Sequence, residues 1–176
     1  MSITIIDNVL DEFDLKELQE LLLGSWFPWY FNHGIVSLDD AKIINDIDLF
    51  DFQFTHTFVR EDEIVSDYLI HLQKLINKLN PQRIIRLKSN LQTPTIEHIR
   101  SRFHTDVEDT TNIKTAIFYV NTNNGFTIFE DDTRIKSIEN RLVIFDSNIM
   151  HAGATCTDQK SRCVINFNFI ENTNEN

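Results

Sequence analysis

The stretch 114-KTAIFYVNTNNGFTIF-129 holds two short runs rich in apolar, β-branched and aromatic residues. Between them stands Asn121-Thr122-Asn123-Asn124-Gly125, a cluster of turn-forming residues. Side chains of that kind suit a pleated, half-buried surface, and runs of this length bounded by turn residues read as strands. The same texture recurs at 83–87, 141–145 and 163–169, and 52–59 alternates in the same way. Short strands at this spacing predict an antiparallel sandwich or barrel. In the last run, alternation places Arg162, Val164, Asn166 and Asn168 on one face. Cys163, Ile165, Phe167 and Phe169 take the other, which is expected to pack against helices.

The helices are expected upstream. Leu15, Leu18, Leu21 and Leu22 share a helical face that Asp14 caps and Gly24 ends. A longer helix over 62–79 carries Val65, Leu69, Leu72, Leu75, Ile76 and Leu79 as its stripe, and Asn80-Pro81 stops it. The plan is α+β and mainly β in one domain, 1–176, with helical support over about 1–82 and a β core over about 83–170. The polar end, 171–176, reads as a frayed tail.

Composition narrows the function classes. A chain of 176 residues can bury one real core, and its 14 Phe predict a core or pocket full of rings. The net charge of −11 lacks the cationic field that nucleic acid requires, so a nucleic-acid partner is disfavoured. No apolar run approaches the roughly 18 residues of a membrane span, so no membrane partner is expected. Residues 1–10 lack a basic start and a small-residue cleavage site, which predicts a cytoplasmic protein. Cys156 and Cys163 then read as free thiols.

His104-Thr105-Asp106 supplies an imidazole and a carboxylate from one side of an extended chain, since residues i and i+2 lie about 7 Å apart on the same face. By itself the pattern fits a surface histidine beside an acidic loop equally well, because Glu108 and Asp109 follow. His151 stands in a polar turn after the apolar run 141–145. Two histidines and a carboxylate on a β-scaffold form the facial set that leaves adjacent positions open on Fe(II). Arg162, eleven residues further on, faces the interior, where a guanidinium needs an anion. Either a protein carboxylate or a fixed anionic ligand satisfies it.

As a set, FHTD, KTAIFYVNTNNGFTIFED and RLVIFDSNIMHAGATCTDQKSRCVINFNF resemble the catalytic half of the 2-oxoglutarate- and Fe(II)-dependent oxygenases. The prolyl-4-hydroxylase-like branch, with its small bacterial and phage-type members, is the most similar. The resemblance covers about residues 84–170 and implies a double-stranded β-helix, or jelly roll. It implies His104, Asp106 and His151 as catalytic iron ligands, and Arg162 as the salt-bridge partner of the 2-oxoglutarate C5 carboxylate. Tyr119 falls where the family often places a hydroxyl on that carboxylate. Asn90, Thr127 and Asn166 are candidate supporting groups around the cosubstrate.

The family's frequent Gly-Gly-x-Thr turn appears here as Asn124-Gly125-Phe126-Thr127, with one glycine. The implied cofactors are Fe(II), 2-oxoglutarate and O2, with ascorbate in support. The implied reaction is hydroxylation of an unactivated C–H, of a protein side chain such as proline. Two alternatives stand beside it: nucleic-acid demethylation by the same chemistry, and a non-catalytic jelly-roll module binding a metal or ligand. The aromatic cluster from Trp26 to Phe31 reads as core or as a rim over the site. His33, His56, His71 and His98 are assigned no chemistry.

Overall fold

A computed structural model describes residues 2–34, 52–107 and 112–172, so Glu108 and Asp109 lie outside it. Among the described residues, alternating sequence makes two antiparallel sheets. The larger runs in the order β1 (Thr4–Ile6), β9 (Arg141–Asp146), β6 (Ile113–Tyr119), β11 (Arg162–Ile170), β5 (Arg83–Gln92), β3 (Gln53–Arg60) and β2 (Tyr30–Asn32), with β4 (Glu63–Ile64) pairing β3. The smaller is β10 (His151–Ala154), β7 (Phe126–Phe129) and β8 (Arg134–Lys136).

The period of two divides the large sheet into an outer and an inner face. Phe118, Leu142, Cys163, Ile165, Phe167 and Phe169 turn outward. There they bury against Leu18 and Leu22 of α1 (Glu12–Leu23) and Leu75 of α2 (Gln73–Leu79). Ile117, Tyr119, Val143, Phe145 and Val164 turn inward and pack with Phe129 and Ile135 of the small sheet. Each buried Phe or Leu contributes about 1.5–3 kcal/mol of transfer free energy. The alternation expected for the last strand is the one observed.

Several expectations change. The cap of α1 is Asp11, whose carboxylate accepts from the Asp14 backbone N–H at 2.8 Å. The long helix over 62–79 does not form as one piece. Glu61 and Asp62 adopt positive φ and turn the chain from β3 into β4. A 3-10 segment, Asp67–Leu72, follows Ser66, whose hydroxyl accepts from the Tyr68 N–H at 3.2 Å, and only then does α2 begin. Val65 is consequently exposed, while Leu72 and Leu75 are buried. Among the described residues, the first 82 positions thus carry four strands as well as helices. Both thiols are free and buried, and no described helix is long and apolar enough to cross a membrane.

β5 runs five residues past the apolar segment 83–87, to Gln92. Its polar extension faces inward. In register, Thr115, Asn168 and Arg86 form one row across β6, β11 and β5. The next row is Ile117, Asn166, Lys88 and Thr57, and then come Tyr119, Val164, Asn90 and Thr55. Arg162 and Gln92 pair beyond them. This polar grid is the floor of the site.

Candidate metal centre and anion pocket

The chain after β5 reaches the small sheet through single backbone bridges, Arg100 to Ala154 and His104 to His151. His104 and His151 exchange N–H to carbonyl bonds of 3.0 Å in both directions, setting their rings 4.7 Å apart. The expected polar turn around His151 is in fact a strand start. His151 is 5% exposed, opens β10 opposite Phe129, and packs its ring edge-on against Phe145.

Nδ1 of His104 lies 3.2 Å from the Arg102 carbonyl, and Nδ1 of His151 lies 3.0 Å from the Ile149 carbonyl. A carbonyl only accepts, so each neutral ring carries its proton on Nδ1 and presents an unprotonated Nε2. That is the arrangement a metal-binding imidazole requires. Burial, reinforced by the neighbouring His151, pushes the His104 pKa down and favours the neutral, ligating form.

Asp106 joins them: one donor atom from each of the three residues lies within 4.8 Å of the others. Its carboxylate accepts from Arg86 Nη2 at 2.6 Å and from Thr115 Oγ1 at 2.8 Å. Burial alone would raise its pKa, but His151, Arg86 and the Thr115 hydroxyl outweigh it and hold the group at about 2. Asp106 therefore stays an anion at neutral pH. Arg86 is itself oriented by Asn168, which accepts from Nε at 2.7 Å.

The pocket holding these donors, a cavity of about 50 Å³, also contains Arg162. Arg162 is 4% exposed, and its donors go to Ser137 Oγ at 3.1 Å, Gln92 Oε1 at 3.3 Å and Thr127 Oγ1 at 3.2 Å. All three acceptors are neutral. No described carboxylate pairs with it. A buried guanidinium without a counter-ion is costly, and an anionic ligand in the pocket would complete it. Tyr119 does not point its hydroxyl at open pocket but donates it to Thr127 Oγ1 at 2.8 Å. Asn90 and Asn166 line the cavity, and the side-chain oxygen of each has no partner among the described residues.

The pocket therefore gathers His104, Asp106, His151, Arg162, Thr127, Asn90 and Asn166 on one wall or another, with Tyr119 directly behind. The donor set suits a divalent metal with open positions, and the lone guanidinium suits a carboxylate ligand. Arg86, Lys88, Gln92, Thr115 and Ser137 escaped the sequence reading. Four consecutive inward positions of β5 are polar, with Leu87 and Leu91 flanking Ser89 on the other side, and that unbroken polar row was the available signal. The remaining histidines lie elsewhere; His56, for example, is held between the Pro28 carbonyl at 2.8 Å and Ser66 Oγ at 2.8 Å. Of the aromatic segment, Phe27 is buried in the helical core, while Trp26 is 94% exposed.

No sequence family matches the chain, and no curated protein matches it. Solved structures do. A prolyl hydroxylase from Trichoplax adhaerens, in complex with a hypoxia inducible factor peptide fragment, superposes with a TM-score of 0.62 at 14% identity, over 96% of this chain and 83% of that one. A Pseudomonas putida prolyl-4-hydroxylase gives 0.57 at 12% identity, over 97% and 92%. The non-heme alpha ketoglutarate dependent epimerase SnoN of nogalamycin biosynthesis gives 0.63 at 11%, over 96% and 78%. At such identities the likeness speaks for architecture, and the architecture is that of the prolyl hydroxylases and their oxygenase relatives.

Proposed function

We propose that this chain is an Fe(II)- and 2-oxoglutarate-dependent dioxygenase of the prolyl-4-hydroxylase-like branch, built on a double-stranded β-helix. One observation carries the reading: a single pocket contains a His-Asp-His donor set and a buried guanidinium with no carboxylate partner among the described residues. His104, Asp106 and His151 would hold the metal, and Arg162 the distal carboxylate of 2-oxoglutarate. When bound, the two supply oxidative decarboxylation, with O2, coupled to hydroxylation of a C–H bond.

The protein's own part is orientation and electrostatics. The carbonyls of Arg102 and Ile149 fix both imidazole tautomers, and Arg86 with Thr115 keeps Asp106 ionised and aimed. Thr127 already accepts from Arg162 and Tyr119, so its own proton is free to donate to a ligand oxygen. Burial of His151 and Arg162 keeps bulk water from their outer sides.

The neighbour that holds a peptide favours a protein side chain, proline included, as the site of hydroxylation. Nucleic-acid demethylation is less supported, since the net charge is −11 and β11 carries no arginine after Arg162. The test is uncoupled turnover. Fe(II), ascorbate and O2 with no substrate should release succinate from 2-oxoglutarate with the wild-type chain and not with Asp106→Ala. Absence of metal-dependent succinate, together with no 2-oxoglutarate binding, would leave a binding module as the reading.

A further inference from the structure

A second cavity, of about 310 Å³, adjoins the pocket on its β3 side, and Lys88 lines both. Phe31, Thr55, Thr57, Arg60 and Arg86 form most of the rest of its wall. The register explains the junction: Lys88 stands between Asn166 on the pocket side and Thr57 on the groove side. Among the described residues, every ionisable group lining the groove is a cation, in a chain whose net charge is −11.

Those cations are not equivalent. Arg86 is committed to Asp106. Among the described residues neither Arg60 nor Lys88 has a carboxylate within ion-pair distance, and Lys88 has no hydrogen-bond partner. Burial, with the nearby Arg86, lowers the Lys88 pKa to about 8, and the Asp106 carboxylate in the same pocket offsets only part of this. The Thr55 and Thr57 hydroxyls beside it can donate to an oxyanion, and Phe31 gives the groove one apolar wall.

We propose that this groove receives an acidic group of the substrate, a carboxylate or a phosphate, clamped by Lys88 and Arg60 next to the reacting carbon. The proposal rests on the oxygenase reading for the carbon's fate, but not for the anion site itself. Arg162 and Lys88 would then sort two anions, cosubstrate and substrate, into two compartments. The strongly acidic remainder of the surface would discourage polyanions while leaving a small oxyanion free to enter.

The test uses the full chain with Zn(II) and 2-oxoglutarate added, so that the inner pocket is filled, and amide NMR to follow Thr55 and Thr57. Acetate, inorganic phosphate and, as a neutral control, acetamide are titrated. A saturable shift with acetate or phosphate but not acetamide is expected, and the better of the two identifies the acid. Arg60→Gln/Lys88→Met should weaken it about ten-fold or more, the size expected for losing charge-assisted contacts. Arg60→Gln alone, at an exposed strand end, gives a smaller loss and keeps the test open should the double variant fail to fold. No saturable shift at these threonines, or an unchanged one in the variants, overturns the proposal. If Zn(II) and 2-oxoglutarate do not bind, the same titration on the metal-free chain still decides the groove, while the oxygenase reading fails separately.

Discussion

His104 and His151 are bonded to each other through their backbones, N–H to carbonyl in both directions at 3.0 Å. The two imidazoles are therefore side by side before any metal arrives, although 46 residues of chain separate them. A centre organised this way asks little rearrangement of its ligands. Asp106 completes it from the same loop, held by Arg86 and Thr115.

Asp106 links the centre to acid stability. Its folded pKa of about 2 lies below the ordinary 3.8, so its contribution is complete above pH 4 and is lost as pH falls through 2. The metal-free chain should be more stable than Asp106→Asn by on the order of 2 kcal/mol at neutral pH. Urea unfolding at a series of pH values should show that difference shrinking between pH 4 and pH 2. A difference that stays constant through that window would mean the carboxylate is not held ionised by its neighbours.

Arg162→Ala should lower the affinity for 2-oxoglutarate by roughly 30-fold or more, since it removes the charged half of a buried contact. Metal binding should persist, because Arg162 touches none of the three donors. The melting temperature should move little, since the guanidinium has only neutral partners to lose. Anaerobic titration of 2-oxoglutarate into the Fe(II) protein reads the affinity. A normal midpoint with a marked loss of stability would make Arg162 structural.

Tyr119→Phe removes the hydroxyl that donates to Thr127. The ring stays in its fully buried place, so the expected cost is about 1 kcal/mol of stability, the net value of one hydrogen bond. Chemical denaturation measures it. A larger effect on 2-oxoglutarate affinity than on stability would show the hydroxyl turning to the ligand once it is bound.

The glycines around Arg162 should respond differently. A Cβ at Gly125 would come within 2.8 Å of the Ala154 carbonyl oxygen, Arg162 Cδ and Asn123 Oδ1 at once. Gly125→Ala should cost about 1–3 kcal/mol, as overpacking does. At Gly153 the nearest atom is Arg162 Nη1 at 3.6 Å, an ordinary contact. Gly153→Ala should fold normally and weaken 2-oxoglutarate binding by filling space beside the guanidinium. Equal melting losses in the two variants would contradict this geometry.

Much of the β core was legible because period-two alternation is a strong signal wherever one face is buried, as in β6 and β11. The long helix over 62–79 misled because Val65 and Leu69 continue its apolar stripe, while the φ > 0 turn at Glu61 and Asp62 leaves no mark in hydrophobicity. β5 was read short for a related reason. Lys88, Asn90 and Gln92 end the apolar pattern, yet they are inward residues of a strand whose inner face is a site. The His-x-Asp pair, His151 and Arg162 could be read as residues worth joining. Arg86 could not, because its role depends on Asn168 and Asp106 meeting it from other elements.

The lone glycine of the 124–127 turn has a consequence for how this chain can change over time. Gly125 is crowded by the backbone of β10, the side chain of Arg162 and the loop at Asn123, so three separate parts of the fold constrain it simultaneously. Asn124, its neighbour, faces outward and bonds only Thr157 and Asp158. Drift in sequence should accordingly be closed at Gly125 and less costly at Asn124, where a change loses two exposed side-chain bonds to Thr157. A turn motif can shed one of two glycines when only one of them stands against the buried Arg162.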